Sequence, residues 1–393
     1  MALFKNKQLV IILWIIGFIY PNDGISKTPI FPYQWKHVHG SSIIEAPNGD
    51  LIACWFYGSG ERSANDVLVQ GSRLKKGSSK WGPVFVMADT PALPDCNPVL
   101  FLNQNDELML FWIAVRANGW ENSVLRYKRS SDYNHLGAPN WDWQDIIILK
   151  PGEAFYEAIK KGFENNYTDP VWAEYALPYE RLITEAAADQ EKRQKGWMTR
   201  IHPIILSTGR ILLPLYSDGF NVSLVAISDD DGKSWRASKP IVGFGPIQPA
   251  LAERKDGSIV AYLRDSGAAP QRVMVSESTD RGESWTFAVD SNILNPGSSL
   301  DVIVLKNGHW VIAYNDTEDN RSSWAVSLSN DEGKTWKWTR HIGQSPDRSE
   351  SYSYPSMIPT RDGKIHLSYS YHNSEGKTIL HASFDEKWIK KGD

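Results

Sequence analysis

Three eight-residue stretches return almost unchanged along the second half of the chain: SDDDGKSW at 228–235, STDRGESW at 278–285 and SNDEGKTW at 329–336. A second element recurs six times, a turn of Asn, Asp or Thr, mostly with Gly, followed by an apolar run: NGDLIACW at 48, NDELMLFW at 105, TGRILLPLY at 208, DGSIVAYL at 256, NGHWVIAY at 307 and DGKIHLSY at 362. Glycine at such a turn supplies a positive φ that other residues resist, and the Ile/Leu/Val/Tyr run suits a buried strand. Upstream of each copy sits another short strand, HGSSII, CNPVLF, IHPIIL, IQPALA, SSLDVIVL and YSYPSMI. Downstream a third strand leads to the box or its worn remnant. Three or four strands per repeat, at a period of roughly fifty residues, describe the blades of a β-propeller. The expected fold is all-β, a propeller of six blades within residues 27–393.

One interval breaks the period, because the second and third turns are about twice as far apart as the period allows. It contains PGEAFYEAIKKGFENN and YERLITEAAADQEKRQKG, charged and alanine-bearing runs with helical spacing. Residues 150–196 are therefore expected to form a helical insertion between blades 2 and 3.

The repeated acids of the boxes read as joinery. In S-x-D-x-G-x-x-W the Ser and Asp hydrogen-bond the backbone of a tight turn, Gly relaxes its φ, and Trp packs between neighbouring blades. Asp230, Asp280 and Asp331 are structural on this reading.

Composition narrows the function. A formal charge of -4 over 393 residues leaves no polycationic face for nucleic acid. The opening MALFKNK and the apolar LVIILWIIGFIY that follows are too short to span a bilayer and suit a secretory signal, with cleavage expected near 26/27. No cysteine follows that point to carry a lipid. A secreted or periplasmic protein, without a stable membrane span and monomeric, is expected. Cys54 and Cys96 are the two cysteines, and no CxxC, HExxH or His/Cys cluster at metal-ligand spacing occurs. Neither a metal nor another cofactor is expected.

The boxes and the strand pattern across residues 37–389 resemble the sialidase (neuraminidase) superfamily, in its branch of BNR/Asp-box repeat proteins. Propellers host many unrelated activities, so function has to be argued from the site. Ligand sites of propellers gather where the innermost strands begin. Aligned there, His39, Asn97, His202, Gln248, Ser298 and Tyr354 stand at or near the channel mouth, with Arg200 and Tyr352 a step away. Arg264 and Arg321 end or follow second strands, and Arg62 and Asp66, in GSGERSAND, take that position in blade 1. A polar, cationic and aromatic ring of this kind fits an anionic sugar, since guanidinium forks match carboxylates and aromatic rings match pyranose faces.

The resemblance further implies an arginine triad for a sugar carboxylate, an attacking tyrosine late in the chain assisted by a glutamate, and an aspartate of blade 1 as acid/base. On that pattern Tyr352 corresponds to the tyrosine, Asp66 to the aspartate, and Arg264 and Arg321 to triad members. The first arginine has no counterpart, because VHGSSI places His39 there. Histidine is a weak carboxylate clamp but a good proton carrier. β-Elimination on a uronate would use what is present, with His39 and His202 as proton carriers, Tyr352 as base or acid and Arg264 on the carboxylate. A lyase results if a sugar leaves C4, a dehydratase if a hydroxyl leaves. Some propeller enzymes that act on uronate polysaccharides, certain ulvan lyases among them, resemble this arrangement of His, Tyr and Arg. Sialidase-type exo-hydrolysis and non-catalytic glycan binding are the alternatives, all three with an anionic oligosaccharide as partner.

Overall fold

The six turns that open the second strands each hold one residue at positive φ: Gly49 (85°), Asp106 (57°), Gly209 (86°), Gly257 (83°), Gly308 (83°) and Gly363 (84°). Each turn folds an inner strand back on the next one, and the result is six four-stranded antiparallel sheets. The computed structural model describes residues 24–166 and 179–393. The inner strand is His37–Glu45 in blade 1, Asp95–Leu102 in blade 2 and Ile204–Ile205 in blade 3. It is Pro246–Glu253 in blade 4, Asp301–Val304 in blade 5 and Ser351–Pro359 in blade 6. The six-bladed propeller is thus the fold of the chain.

A blade packs against a neighbour on both faces, so its middle strands carry apolar side chains at every position rather than in alternation. Leu108–Val115, LMLFWIAV, is buried throughout. Each seam between blades has its own hydrophobic cluster, six in all among the described residues. Burial of each large side chain there contributes about 1.5–3 kcal/mol. The boxes lock the seams. Asp230 accepts the Ser234 amide (2.9 Å) and hydroxyl (2.6 Å), and Ser228 accepts the Gly232 amide (2.8 Å). Trp235 then meets Phe111 of blade 2 edge-on at 5.7 Å. Asp280 and Asp331 repeat the pattern, so these acids are spent on turns.

Blade 6 takes its fourth strand from the start of the described chain. Ser26–Pro29 pairs with the Gly376–Phe384 strand, from Ser26↔Ser383 to Pro29↔Leu380. Most of the expected leader, residues 1–23, lies outside the described residues. No helix among the described residues is long and apolar enough to cross a membrane.

Between blades 2 and 3 stand the helices Glu153–Asn165, Tyr179–Ala188 and Gln190–Arg193. Phe155, Ile159 and Phe163 recur every fourth residue and bury one stripe of the first helix against the blade 2–blade 3 seam. Residues 167–178 of the expected insertion lie outside the described ones. A last helix, Glu386–Lys391, which the repeat pattern did not announce, seats Trp388 and Ile389 in the seam between blades 5 and 6.

Candidate active site

Four inner strands break their ladder at corresponding places: between His39 and Ser42, Cys96 and Val99, Ile247 and Ala250, and Ser353 and Ser356. At each break one residue is left-handed: Gly40 (62°), Asn97 (50°), Gln248 (54°) and Tyr354 (58°). Such a bulge re-aims the side chain it carries. For the three residues other than glycine the conformation costs about 1–2 kcal/mol each, which surrounding contacts must offset. Blade 1 requires glycine, because a Cβ at Gly40 would lie 2.8 Å from the Phe56 ring. Asn97, Gln248 and Tyr354 all face one cavity of about 630 Å³, together with His39, Arg264, Tyr216 and Glu61.

Tyr354 forms its floor. Arg264 donates to the phenol oxygen at 3.3 Å, and the guanidiniums of Arg200 and Arg321 lie 4.8 and 5.6 Å from the ring centre. Arg200 is 2 % exposed and donates to the Ser41 and Pro355 carbonyls at 3.1 and 2.9 Å, fixing the floor from below. Burial alone raises the phenol's pKa. The charges of Arg264 and Arg321, the Gln248 hydrogen bond and the Arg200 charge outweigh it and hold the group below its usual range. Among the described residues the phenol's hydrogen-bonding neighbours are a guanidinium and an amide, not a carboxylate. Tyr216, which accepts from Asn97 at 3.1 Å, has its own pKa raised by burial.

The His39 ring centre lies 4.0 Å from that of Tyr354, and Ser370 shares a hydrogen bond with Nδ1 at 2.9 Å. Burial, then the charge of Arg321, pushes this imidazole well below its ordinary pKa, so it is neutral at pH 7. At the rim Glu61 pairs with His37 Nε2 at 3.0 Å, and that hydrogen bond holds the carboxylate below its usual range. A neutral imidazole, an acidified phenol and converging guanidiniums together suit proton transfer beside a bound anion.

Of the residues singled out from the sequence, His39, Asn97, Gln248, Arg264 and Tyr354 line the cavity, while Arg200 and Arg321 flank Tyr354. Five stand elsewhere, Ser298 among them, buried outside the cavity lining with its amide donating to Asn295 at 3.0 Å. Tyr352 is buried in the blade 5–blade 6 seam, 5.4 Å from the Tyr371 ring, against Gly343, and donates to Glu350. The bulge two residues on separates it from Tyr354, which takes the place at the floor. His202 pairs with the fully buried Asp301 at 3.4 Å and lines a separate cavity of about 300 Å³ where the inner strands end. Asp66 is exposed, paired with Lys36 at 3.1 Å and with the amide and hydroxyl of Ser59; Glu61 is the carboxylate which that loop turns to the cavity. Arg62 lies outside the lining, its guanidinium 5.3 Å above the Trp120 ring.

Glu61, Trp120, Tyr179, Ile183, Tyr216 and Asp218 were missed. Glu61 was readable as the neighbour of Arg62, and Tyr216 as the end of a second strand. The others come from loops and helices whose direction no periodicity gives.

The model of the BNR repeat-like domain matches residues 49–160 and 195–367. Among curated proteins the chain is 26% identical over 200 residues to the anhydrosialidase of Macrobdella decora, a match that takes in 44% of this chain and a quarter (25%) of that protein. Among solved structures it superposes on a protein of unknown function from Dyadobacter fermentans (TM-score 0.66, 16% identity, 92% of this chain and 98% of that one). It also superposes on the intramolecular trans-sialidase of Ruminococcus gnavus (TM-score 0.63, 14% identity, 90% and 95%). A leech intramolecular trans-sialidase gives a TM-score of 0.68 at 13% identity, over 93% of this chain and 71% of that one. At these identities the structural likeness establishes the propeller, not the reaction.

Proposed function

The chain belongs to the BNR repeat-like family within the sialidase superfamily, and from that premise we propose that its cavity takes the terminal anionic sugar of an oligosaccharide and acts on it by β-elimination at a uronate. The observation that carries this reading is the Tyr354 phenol, acidified by guanidiniums and, among the described residues, without a carboxylate partner. In a tyrosine-nucleophile glycosidase a glutamate takes the phenol's proton; here Gln248, which cannot, holds the hydrogen-bonding place, and His39 stands where the first arginine would.

Arg264 and Arg321 would bind the sugar carboxylate, which makes the proton on the adjacent C5 removable. The Tyr354 phenolate takes that proton while the guanidiniums hold the growing enolate charge. The C4–O bond then breaks, a C4=C5 double bond forms, and the proton passes from the phenol to the departing oxygen. Water leaves if that oxygen is a free hydroxyl, and a sugar leaves if it is a glycosidic bridge. His39, held neutral by burial and then by the Arg321 charge, has its ring 4.0 Å from that of Tyr354 and would relay the proton.

Sialidase-type hydrolysis or internal transfer is the second reading, favoured by the family and by the names of the relatives. Mass spectrometry of products from uronate-terminated and sialylated oligosaccharides separates the two. A product lighter by one water, or a fragment with a conjugated double bond, supports elimination. A sugar released with added water, or an internal anhydride, overturns it. The apolar leader-like stretch at the start of the chain supports action outside the cytoplasm, secreted or periplasmic, and we propose that the protein acts there as a monomer. N-terminal sequencing of the mature protein tests the first point and its sedimentation the second.

A further inference from the structure

The cavity has two chemically different sides. Its floor, built by the bulged inner strands, is cationic and polar. Its outer wall comes from other elements: Trp120 from the turn between two blade 2 strands, and Tyr179, Leu182 and Ile183 from the second helix of the insertion. Leu182 is 47 % exposed at the mouth of an otherwise polar cavity. The wall is anchored. Tyr179 donates to the Asn221 carbonyl at 3.1 Å, and its ring lies 6.0 Å from those of both Phe163 and Phe244. Arg62 covers the Trp120 ring from one side at 5.3 Å. The carboxylates of Glu61 and Asp218 line the same cavity.

We propose that this wall is the seat of the second sugar of the substrate, and that it selects a neutral residue with an apolar face, a deoxyhexose or a hexose lying flat, next to the charged terminal one. The inference rests on the anionic-sugar reading of the floor. A pyranose presents C–H groups on one face, which an indole and aliphatic side chains desolvate at little cost. A second carboxylate or a sulfate there would meet Glu61 and Asp218, while on this reading Arg264 and Arg321 are taken by the terminal carboxylate and Arg62 already covers Trp120. The helical insertion thereby gains a function: it reads the neighbour of the sugar that reacts.

The test compares kcat/KM for a uronate–deoxyhexose disaccharide, a uronate–uronate disaccharide and the methyl glycoside of the same uronate. The wild-type enzyme should prefer the first. In Trp120→Ala and in Leu182→Ser that preference over the methyl glycoside should fall about tenfold, through KM, with unchanged melting temperature. An unaltered ratio in both variants, or a wild-type preference for the doubly charged disaccharide, would overturn the proposal. If the wild-type protein turns over none of the three, the elimination reading fails by itself. Calorimetric titration with the two disaccharides then decides the seat: tighter binding of the neutral-neighbour sugar, lost in Trp120→Ala, upholds it, and equal binding rejects it.

Discussion

Replacing Tyr354 and Tyr352 separately with phenylalanine tests the assignment of the floor. In Tyr354→Phe the ring stays packed between His39 and Arg200, and the oxygen that Arg264 approaches at 3.3 Å is lost. Arg264 and Gln248 then face a cavity open to water, so the stability change should stay below about 1 kcal/mol. Loss of the acidified base should lower kcat by about 10²–10⁴-fold. In Tyr352→Phe the bond to Glu350 disappears. A hydrogen bond to a charged group is worth about 1.5–3 kcal/mol, less here because Glu350 is part-exposed. A loss of about 1–2 kcal/mol, a few degrees in melting temperature for a chain of this size, should accompany near wild-type turnover. Product mass spectrometry on the uronate panel reads activity, and calorimetric melting reads stability. An active Tyr354→Phe, or a dead Tyr352→Phe with an undiminished melt, would refute the placement.

Three further outcomes follow from the same geometry. Arg264→Gln removes the largest charge that lowers the Tyr354 pKa; since the phenolate is the working form, the rising limb of kcat/KM against pH should move to higher pH, and an unmoved limb argues against Tyr354 as base. Gln248→Glu sets a carboxylate against the phenol, so elimination at neutral pH should fall, whereas a gain in sugar release with added water would favour the hydrolytic reading. His341, bonded to Asp316 at 2.6 Å and to Asp393, has its pKa pushed up to about 9 by those bonds, Asp316 foremost. The folded value lies above the unfolded one of about 6.5, so this stabilisation is complete below about pH 6.5 and is lost as pH rises through 9. Asp316→Asn should cost about 1–2 kcal/mol at pH 6, after allowance for solvent screening, and much less at pH 10, as read from denaturant melts.

Much of the fold was legible because its signals are local. A positive-φ turn and an apolar run recur in every blade, and each box closes a turn with its own Ser, Asp and Gly, so neither needs distant contacts to be recognised. Part of the site was legible for a related reason: Asn97, Gln248 and Tyr354 hold corresponding places on their strands, His39 stands one residue before that place, and Arg264 and Arg321 end or follow second strands. The tertiary structure decided the rest. Tyr352 and Tyr354 stand two letters apart, which on a regular strand puts them on one face. The bulge parts them, so that the seam holds one ring and the three arginines surround the other. His202, like the floor residues, stands beside a proline of its inner segment, yet it pairs with Asp301 and lines the far cavity. Glu61 rather than Asp66 faces the site because Ser59 and Lys36 hold Asp66 outside. The wall of Trp120, Tyr179 and Leu182 comes from a turn and a helix whose approach to the cavity is fixed by packing against blades distant in sequence, which no period along the chain encodes.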